Sequence, residues 1–362
     1  MKTWSNRDLA SYDQARKNIF YPKTDIRLDD SFLAVLQDQQ EIDLARYFPF
    51  IEDLCRSRWG DLPTSISSIT IGGTYHLLYH VFYDKQSFII RLNRLPDQHI
   101  DYEFLIDQWA YSLLEKHGLL SAKIIDVDFS RNIIPTDYEI MTYIEGQQLS
   151  AFCDRETQYM DPVLLASIGE YVARVHQIKL SGFGPLKIES LIEKTIDSSG
   201  IFNSWDQYIF LRLNQHVHLC QNAGAIDTRE ARKIIELFAS HAHFFNNISP
   251  VLLHGDLGNH NFISSDGTSI AALIDWEDCM SGDPVFDVAF WGTFFRDHML
   301  DDFLVGYKKI TTLSADFLTR YWLYYLRIAL SKTVHRIRFN YKDHPSRPPA
   351  SLRIQKALSY FI

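Results

Sequence analysis

One segment of the chain carries residue types arranged for chemistry: VLLHGDLGNHNFISSDGTSIAALIDWEDCMSGDPVFDVA, from Val251 to Ala289. It sets His254, Asp256 and Asn261 in one turn-rich loop. Two short apolar runs follow, and the second ends on Asp275. A loop carboxylate can accept a proton from a hydroxyl. An amide oxygen and a second carboxylate can hold a hard divalent cation that keeps most of its waters, such as Mg²⁺. Asp256 is therefore the candidate to align an acceptor hydroxyl and take its proton. Asn261 and Asp275 are the candidate metal ligands, and His254 is placed to brace the loop.

The Asp-x4-Asn spacing, with a further Asp at a nearby strand end, is the one by which protein kinases organise phosphoryl transfer. Taken alone, His-Gly-Asp could be a turn and Asp275 a strand-end cap. A metallohydrolase is a second reading, with His254, Asp256, His260, Asp275, Glu277 and Asp278 gathered around one or two metals. A nucleotide-binding pseudokinase is a third. The flanking elements decide among them.

From Ser65 the hydrophobic period is that of strands. SISSITI, YHLLYHVFY and SFIIRL are short β-branched or aromatic runs, separated by Gly72-Gly73 and by Asp84-Lys85-Gln86, which predicts an antiparallel meander. IDYEFLIDQWAYSLLEK, Ile100 to Lys116, has amphipathic helical spacing and stops at Gly118. AKIIDVDF and DYEIMTYI read as two more strands. The order β-β-β-α-β-β predicts an α+β, two-lobed protein-kinase-like fold: a small antiparallel β lobe, residues 63–145, and a larger, mainly helical lobe, residues 146–362. In the large lobe Asp161 suits a helix N-cap with Pro162 at the first helical position. Helices are also expected within 187–248, from Asp316 to Arg336 and after Pro348-Pro349. Residues 1–62 form an N-terminal helical extension, helical from Ser31 to Trp59 with Asp30 or Ser31 as cap.

The chain is long enough for two lobes at 362 residues, and 46% hydrophobic against 22% charged residues predicts a packed globular protein. A net charge of −9 disfavours electrostatic binding of nucleic acid or an anionic membrane. Cys55, Cys153, Cys220 and Cys279 lack CxxC spacing, so neither a disulfide framework nor a zinc ribbon is expected. With no apolar leader or membrane-length apolar run, the expectation is a cytoplasmic enzyme.

HGDLGNHN followed by IDWEDCMSGDPVFDVA resembles the signature of the aminoglycoside phosphotransferase family, in particular its hygromycin-kinase-like branch. FIIRLNR, EIMTYIEGQQL, YVARVHQI, SGFGPL and FNSWDQYI fall where that family has corresponding segments, so the resemblance covers about residues 65–300. It implies transfer of the γ-phosphoryl group of ATP or GTP, with Mg²⁺, to a hydroxyl of a small-molecule acceptor. It assigns Asp256 as the catalytic Asp, Asn261 and Asp275 as metal ligands, and Asp283 and Asp287 as a structural turn, with Asp287 bonding the catalytic-loop backbone. Arg91 takes the position of the phosphate-gripping cation, where protein kinases use Lys; a guanidinium can hold phosphate bidentately. Glu103 is its expected ion-pair partner, with Asp101 or Asp107 as substitutes. Gly72 and Gly73 could let backbone N–H groups approach phosphate. Met141, Tyr143 and Ile144 lie in the expected adenine-reading hinge. Glu277, Asp278 and Asp206 could face an ammonium group, which makes a cationic acceptor, an aminoglycoside-like antibiotic or an amino alcohol, the first expectation.

Overall fold

The computed structural model describes residues 6–25, 39–70, 76–94, 103–154, 159–188, 191, 199–294, 298–339 and 349–361. Gly72-Gly73, the expected caps Asp30 and Ser31, and Asp101 lie outside them. The small lobe is a five-stranded antiparallel sheet of β1 (Ser65–Ile69), β2 (His76–Tyr83), β3 (Gln86–Asn93), β4 (Ile124–Asp128) and β5 (Tyr138–Thr142), in the order β1-β2-β3-β5-β4. Side chains alternate across its two faces. Leu77, Tyr79, Val81, Ile90, Leu92 and Ile140 build one buried core. The residues between them, including His76, Leu78, Ile89, Arg91 and Met141, line a cleft on the other face. The parity of β2, β3 and β5 thus decides which residues enter the core and which face the cleft.

The N-terminal residues are divided between the lobes. After α1 (Asn6–Arg16), the short helix α2 (Pro22–Asp25) docks in the large lobe. The long helix α3 (Gln40–Trp59) instead covers the outer face of the small sheet, burying Leu44, Ile51, Leu54 and Cys55 against it. Tyr79 donates its hydroxyl to Leu44 O at 2.6 Å, and Arg94 pairs with Asp43 at 2.7 Å. Each fully buried aliphatic side chain here contributes about 1.5–3 kcal/mol. The apolar outer sheet face is therefore not a solvent surface.

The anchor in the large lobe is polar and fully buried. Asp25 accepts the N–H groups of Phe20 and Tyr21, at 2.7 and 3.1 Å, and His216 Nε2–H at 2.8 Å. Arg327 donates to His216 Nδ1 at 3.1 Å, which fixes the tautomer, and its guanidinium lies 3.4 Å from the Phe20 ring centroid. Asp25→Ala leaves three buried donors without an acceptor. At about 1–3 kcal/mol each, the expected loss of stability is about 3 kcal/mol or more. An unchanged urea midpoint for this variant would show that the docked segment adds nothing to the fold.

In the small lobe α4 (Glu103–Lys116) packs beside β4 on the cleft side. The chain crosses at 143–146 to β6 (Gln147–Gln148). In the large lobe α5 (Pro162–Val175) is capped by Asp161, which accepts Val163 N–H at 2.8 Å. Then come β7 (Phe183–Leu186), β8 (Gly200–Phe202), α6 (Trp205–Ile209), α7 (Leu213–Asn222) and α8 (Thr228–Ser240). The motif region supplies β9 (Val251–Leu253), β10 (Phe262–Ser264), β11 (Ala272–Leu273), β12 (Met280–Gly282) and α9 (Pro284–Gly292). The chain continues through α10 (His298–Tyr307), α11 (Phe317–Arg338) and α12 (Ala350–Ser359). Two small sheets, β11-β10-β6 and β8-β7-β12-β9, hold the motif region against the helices. Among the described residues no helix is long and apolar enough to cross a membrane, and the four cysteines are free.

Candidate active site

The loop after β9 is shaped by buried hydrogen bonds. Gly255 has φ of +81°, and a Cβ there would lie 2.1 Å from the Asp278 carbonyl, so only glycine fits. Asp287, on the first turns of α9, accepts the N–H groups of His254 and Gly255 at 2.6 and 3.1 Å. Asp283 caps the same helix through Val285 N–H at 3.0 Å and takes Arg320 and the Tyr324 hydroxyl, each at 2.6 Å. His254 is buried, with Nε2 2.9 Å from Ile274 O and Nδ1 accepting the N–H of Asp256 at 3.3 Å. Both ring nitrogens are engaged, so His254 braces the loop and cannot ligate a metal. This removes one member of the metallohydrolase set.

Asn261 and Asp275 come together because they flank one hairpin. β10 and β11 pair with Phe262 opposite Leu273, and Ile274 N–H donates to Asn261 O at 2.8 Å. The residue before β10 and the residue just past β11 therefore leave the hairpin at the same end. Asn261 Nδ2 donates to Asp256 O at 3.0 Å, which turns its Oδ1 away from that bond. Asp275 occupies the left-handed region, φ 69° and ψ 61°, where Asp is tolerated better than most residues. An amide oxygen beside a carboxylate is a hard oxygen pair of the kind Mg²⁺ takes.

Arg91 is the centre of a buried charge cluster, with its side chain 6% exposed. It bonds Asp107 and Glu139, the latter at 2.6 Å, and reaches Asp275 at 2.9 Å and Glu277 at 2.8 Å. This corrects the expected Arg91–Glu103 pair: the partner on α4 is Asp107, one turn further along the same face. The reason is helix docking, since the other oxygen of Asp107 accepts Trp276 N–H at 2.6 Å and ties α4 to the segment after Asp275. Glu103 instead lies 3.8 Å from His76 Nε2. Glu277 is a second correction. The tight turn after left-handed Asp275 swings it under the small lobe, where it holds Arg91 and His76, the latter at 2.7 Å, rather than facing an acceptor. Asp206 and Asp278 are half-buried, and neither lines the cleft. Trp205 and Tyr208 belong to the core.

Sequence reasoning passed over Glu139 and His76. Glu139 sits directly opposite Arg91 in the β3–β5 register. The available signal was an acid inside an apolar strand, which must find a cation if buried. Burial would lower the Arg91 pKa, but Glu139, Asp107, Asp275 and Glu277 raise it well above the ordinary value. Burial pushes Asp107 and Glu139 up despite Arg91, so this acid-rich cluster favours retaining a proton.

Beside the cluster opens a cleft of about 440 Å³. Ile69, Leu78, Ile89, Ala122, Met141, Ile144, Ile263 and Ile274 make its apolar part, while Arg91, His260, Asn261 and Asp275 make its polar end. Met141, Tyr143 and Ile144 all line it. Asp256, 5% exposed, is next to the polar end, with its Oδ2 3.7 Å from His260 Nε2.

The buried histidines make stability pH-dependent. Burial holds His254 and His216 below the ordinary histidine range. Their stabilisation is complete above the unfolded value of about 6.5 and is lost as pH falls through it, because the unfolded chain then binds protons the folded chain refuses. Burial would lower His76 as well, but Glu277 raises it, so His76 opposes this trend. Asp107 and Glu139, raised by burial, oppose it too, so the histidine contribution is read by substitution. The gap between the urea midpoints of wild type and His216→Gln is expected to narrow as pH falls from 7.5 to 5.5; a gap that widens would show that His216 is not held below the ordinary histidine range.

The small antiparallel sheet with its helix, the crossing strand end and the helical lobe define the two-lobed fold of kinase-like phosphotransferases. Residues 69–318 match the model of the phosphotransferase enzyme family, APH, and the chain belongs to that family. It is 24% identical to hygromycin-B 4-O-kinase of Escherichia coli over 217 residues, 57% of this chain. The match spans about half the length of that relative, 56%. Its fold is shared with a thermostable form of aminoglycoside phosphotransferase APH(4)-Ia in a ternary complex with ADP and hygromycin B, at a TM-score of 0.60 and 18% identity over 85% of this chain and 98% of that one. Choline kinase LicA of Streptococcus pneumoniae superposes at a TM-score of 0.55 and 16% identity, over 87% of this chain and 98% of that one.

Proposed function

We propose that this protein transfers the γ-phosphoryl group of ATP or GTP to a hydroxyl of a small molecule. The observation that carries the reading is the convergence of Asn261 and Asp275 at one hairpin end, facing an apolar cleft, with Asp256 beside them. The base of the nucleotide lies among Met141, Ile144 and Ile263. The N–H groups of Thr142 and Tyr143 already donate to Lys123 O and Ser87 O, both at 2.9 Å. The hinge N–H that reads the base is therefore that of Ile144, with Tyr143 beside it. Arg91 lies toward the phosphates, held by Asp107 and Glu139. Mg²⁺, held by Asn261 and Asp275, supplies charge neutralisation on the phosphates when bound.

The acceptor hydroxyl hydrogen-bonds Asp256, which aligns its oxygen with the γ-phosphorus. The new O–P bond forms as the bond to the bridging oxygen breaks, and the hydroxyl proton passes to Asp256 late in the step. The nucleoside diphosphate leaves with the bridging oxygen. The cationic class does not rest on Glu277, which is committed to Arg91 and His76, nor on Asp278 and Asp206, which lie outside the cleft. The named substrates of the relatives, hygromycin B and choline, put aminoglycosides and amino alcohols first. Four free cysteines and a nucleoside triphosphate donor fit a cytoplasmic setting.

The test is an acceptor screen by nucleotide consumption with ATP and with GTP, against hygromycin B, other aminoglycosides, choline, amino alcohols and neutral sugars. Acceptor-dependent release of ADP or GDP, with one phosphate gained by the acceptor in mass spectrometry, is the expected result. Phosphorylation confined to neutral sugars would overturn the cationic class. Nucleotide hydrolysis that no acceptor stimulates would overturn the transferase reading.

A further inference from the structure

The basic side chains that line the cleft among the described residues are His76, Arg91 and His260. Two of them are committed. Arg91 is surrounded by four carboxylates, and His76 is held by Glu277. His260 differs. Its side chain is 35% exposed, and its Nε2 stands 3.7 Å from Asp256 Oδ2, beyond hydrogen-bond length. The ring is placed by packing. It leans on Phe294, centroids 5.6 Å apart, and lies directly over Gly258. A Cβ at Gly258 would come within 2.5 Å of His260 Cε1 and 2.7 Å of its Nδ1. Gly258 has φ of −134°, so its backbone does not demand glycine. What glycine provides there is the space the imidazole fills.

We propose that His260 is a catalytic residue of this site, its ring N–H donating a hydrogen bond to the γ-phosphoryl group beside Asp256. The proposal rests on the nucleotide-cleft reading above. The transferring group carries charge that must be met by preorganised donors, and His260 is the uncommitted basic side chain on that side of the cleft. Gly258 acts through it as a positioning residue.

The experiment is calorimetric titration with Mg²⁺·AMP-PNP and with Mg²⁺·ADP, on wild type, His260→Ala, His260→Gln, Gly258→Ala and the Gly258→Ala/His260→Ala double variant. AMP-PNP carries the third phosphoryl group and ADP does not. Wild type is expected to favour AMP-PNP by about tenfold, the worth of one hydrogen bond to a charged group. His260→Ala should lose that preference while keeping its ADP affinity, and His260→Gln, which retains a donor, should recover part of it. Gly258→Ala displaces the ring and should mimic His260→Ala. The double variant should lose nothing more, because both changes remove one contact. A merely structural role would move both nucleotides equally. A wild-type preference retained in His260→Ala, or additive losses in the double variant, would overturn the proposal. Binding of neither nucleotide to wild type would instead sink the cleft reading beneath it.

Discussion

Asp256→Asn is expected to lower phosphoryl transfer by about 10²–10⁴-fold, the usual worth of a positioned proton acceptor, with nucleotide affinity near wild type. The amide keeps the size of the carboxylate. It also leaves untouched the two backbone contacts that shape the loop, Asp256 N–H to His254 Nδ1 and Asp256 O to Asn261 Nδ2. What it removes is the carboxylate proposed to take the acceptor proton. The cleft proposed to hold the nucleotide is lined by other residues, so AMP-PNP titration should change little while single-turnover transfer to the acceptor found by the screen collapses. Turnover at the wild-type rate would remove Asp256 from the mechanism. Loss of nucleotide binding together with turnover would mean that the change had disturbed the loop instead.

Arg91→Ala is expected to be as damaging, chiefly through stability. Asp107 and Glu139 are fully buried, and Arg91 is the cation both contact. Breaking a buried pair by removing one partner typically costs about 3–5 kcal/mol. Without Arg91 the two acids are raised further by burial, so the folded variant is more comfortable with them protonated. The loss is therefore greatest near neutral pH and is relieved as pH falls through their raised folded values. Urea midpoints of wild type and Arg91→Ala at pH 7.5 and 5.5 should thus converge on acidification. Equal midpoints at pH 7.5 would show that the cluster holds nothing together. Arg91→Lys should fall between, since one ammonium cannot span carboxylates on α4, β5 and the Asp275 segment as a planar guanidinium does.

The residues best read in advance are those whose relation is local. His254, Asp256, Asn261 and Asp275 belong to one loop and one hairpin, so their spacing already brings the last two to a common end. The small-lobe strands were legible because YHLLYHVFY and SFIIRL are short β-branched or aromatic runs bounded by turn residues, although their consecutive apolar residues did not say which face each would take. Asp161 and Pro162 were legible because a helix cap is made within a few residues.

What was hidden depends on contacts between elements far apart in the chain. Glu103 and Asp107 share one face of α4, and nothing in the helix says which of them meets Arg91. That is settled by Trp276, whose N–H binds Asp107 and sets how the helix docks. Glu277 looked like an acceptor residue because it follows Asp275 closely. The left-handed backbone at Asp275 turns it toward the opposite lobe, and a single positive φ in an Asp leaves no mark in composition or period. Glu139 and Arg91 face each other only because β3 and β5 are neighbours in the sheet, with α4 and β4 between them in sequence.

The N-terminal residues show the same division most plainly. Helical spacing before Trp59 could be seen in the sequence alone. That Asp25 would be buried against His216, while Leu44 and Ile51 cover the small sheet, could not. Local periodicity records which side of an element is apolar, because that depends only on the residue's own backbone geometry. It does not record which surface will cover that side, because burial is completed by whichever partner the whole chain brings there. In this protein the spacing of Asp256, Asn261 and Asp275 was determined by the sequence by itself. The partners that hold Arg91, turn Glu277 and leave His260 open to the cleft were decided only when both lobes had packed.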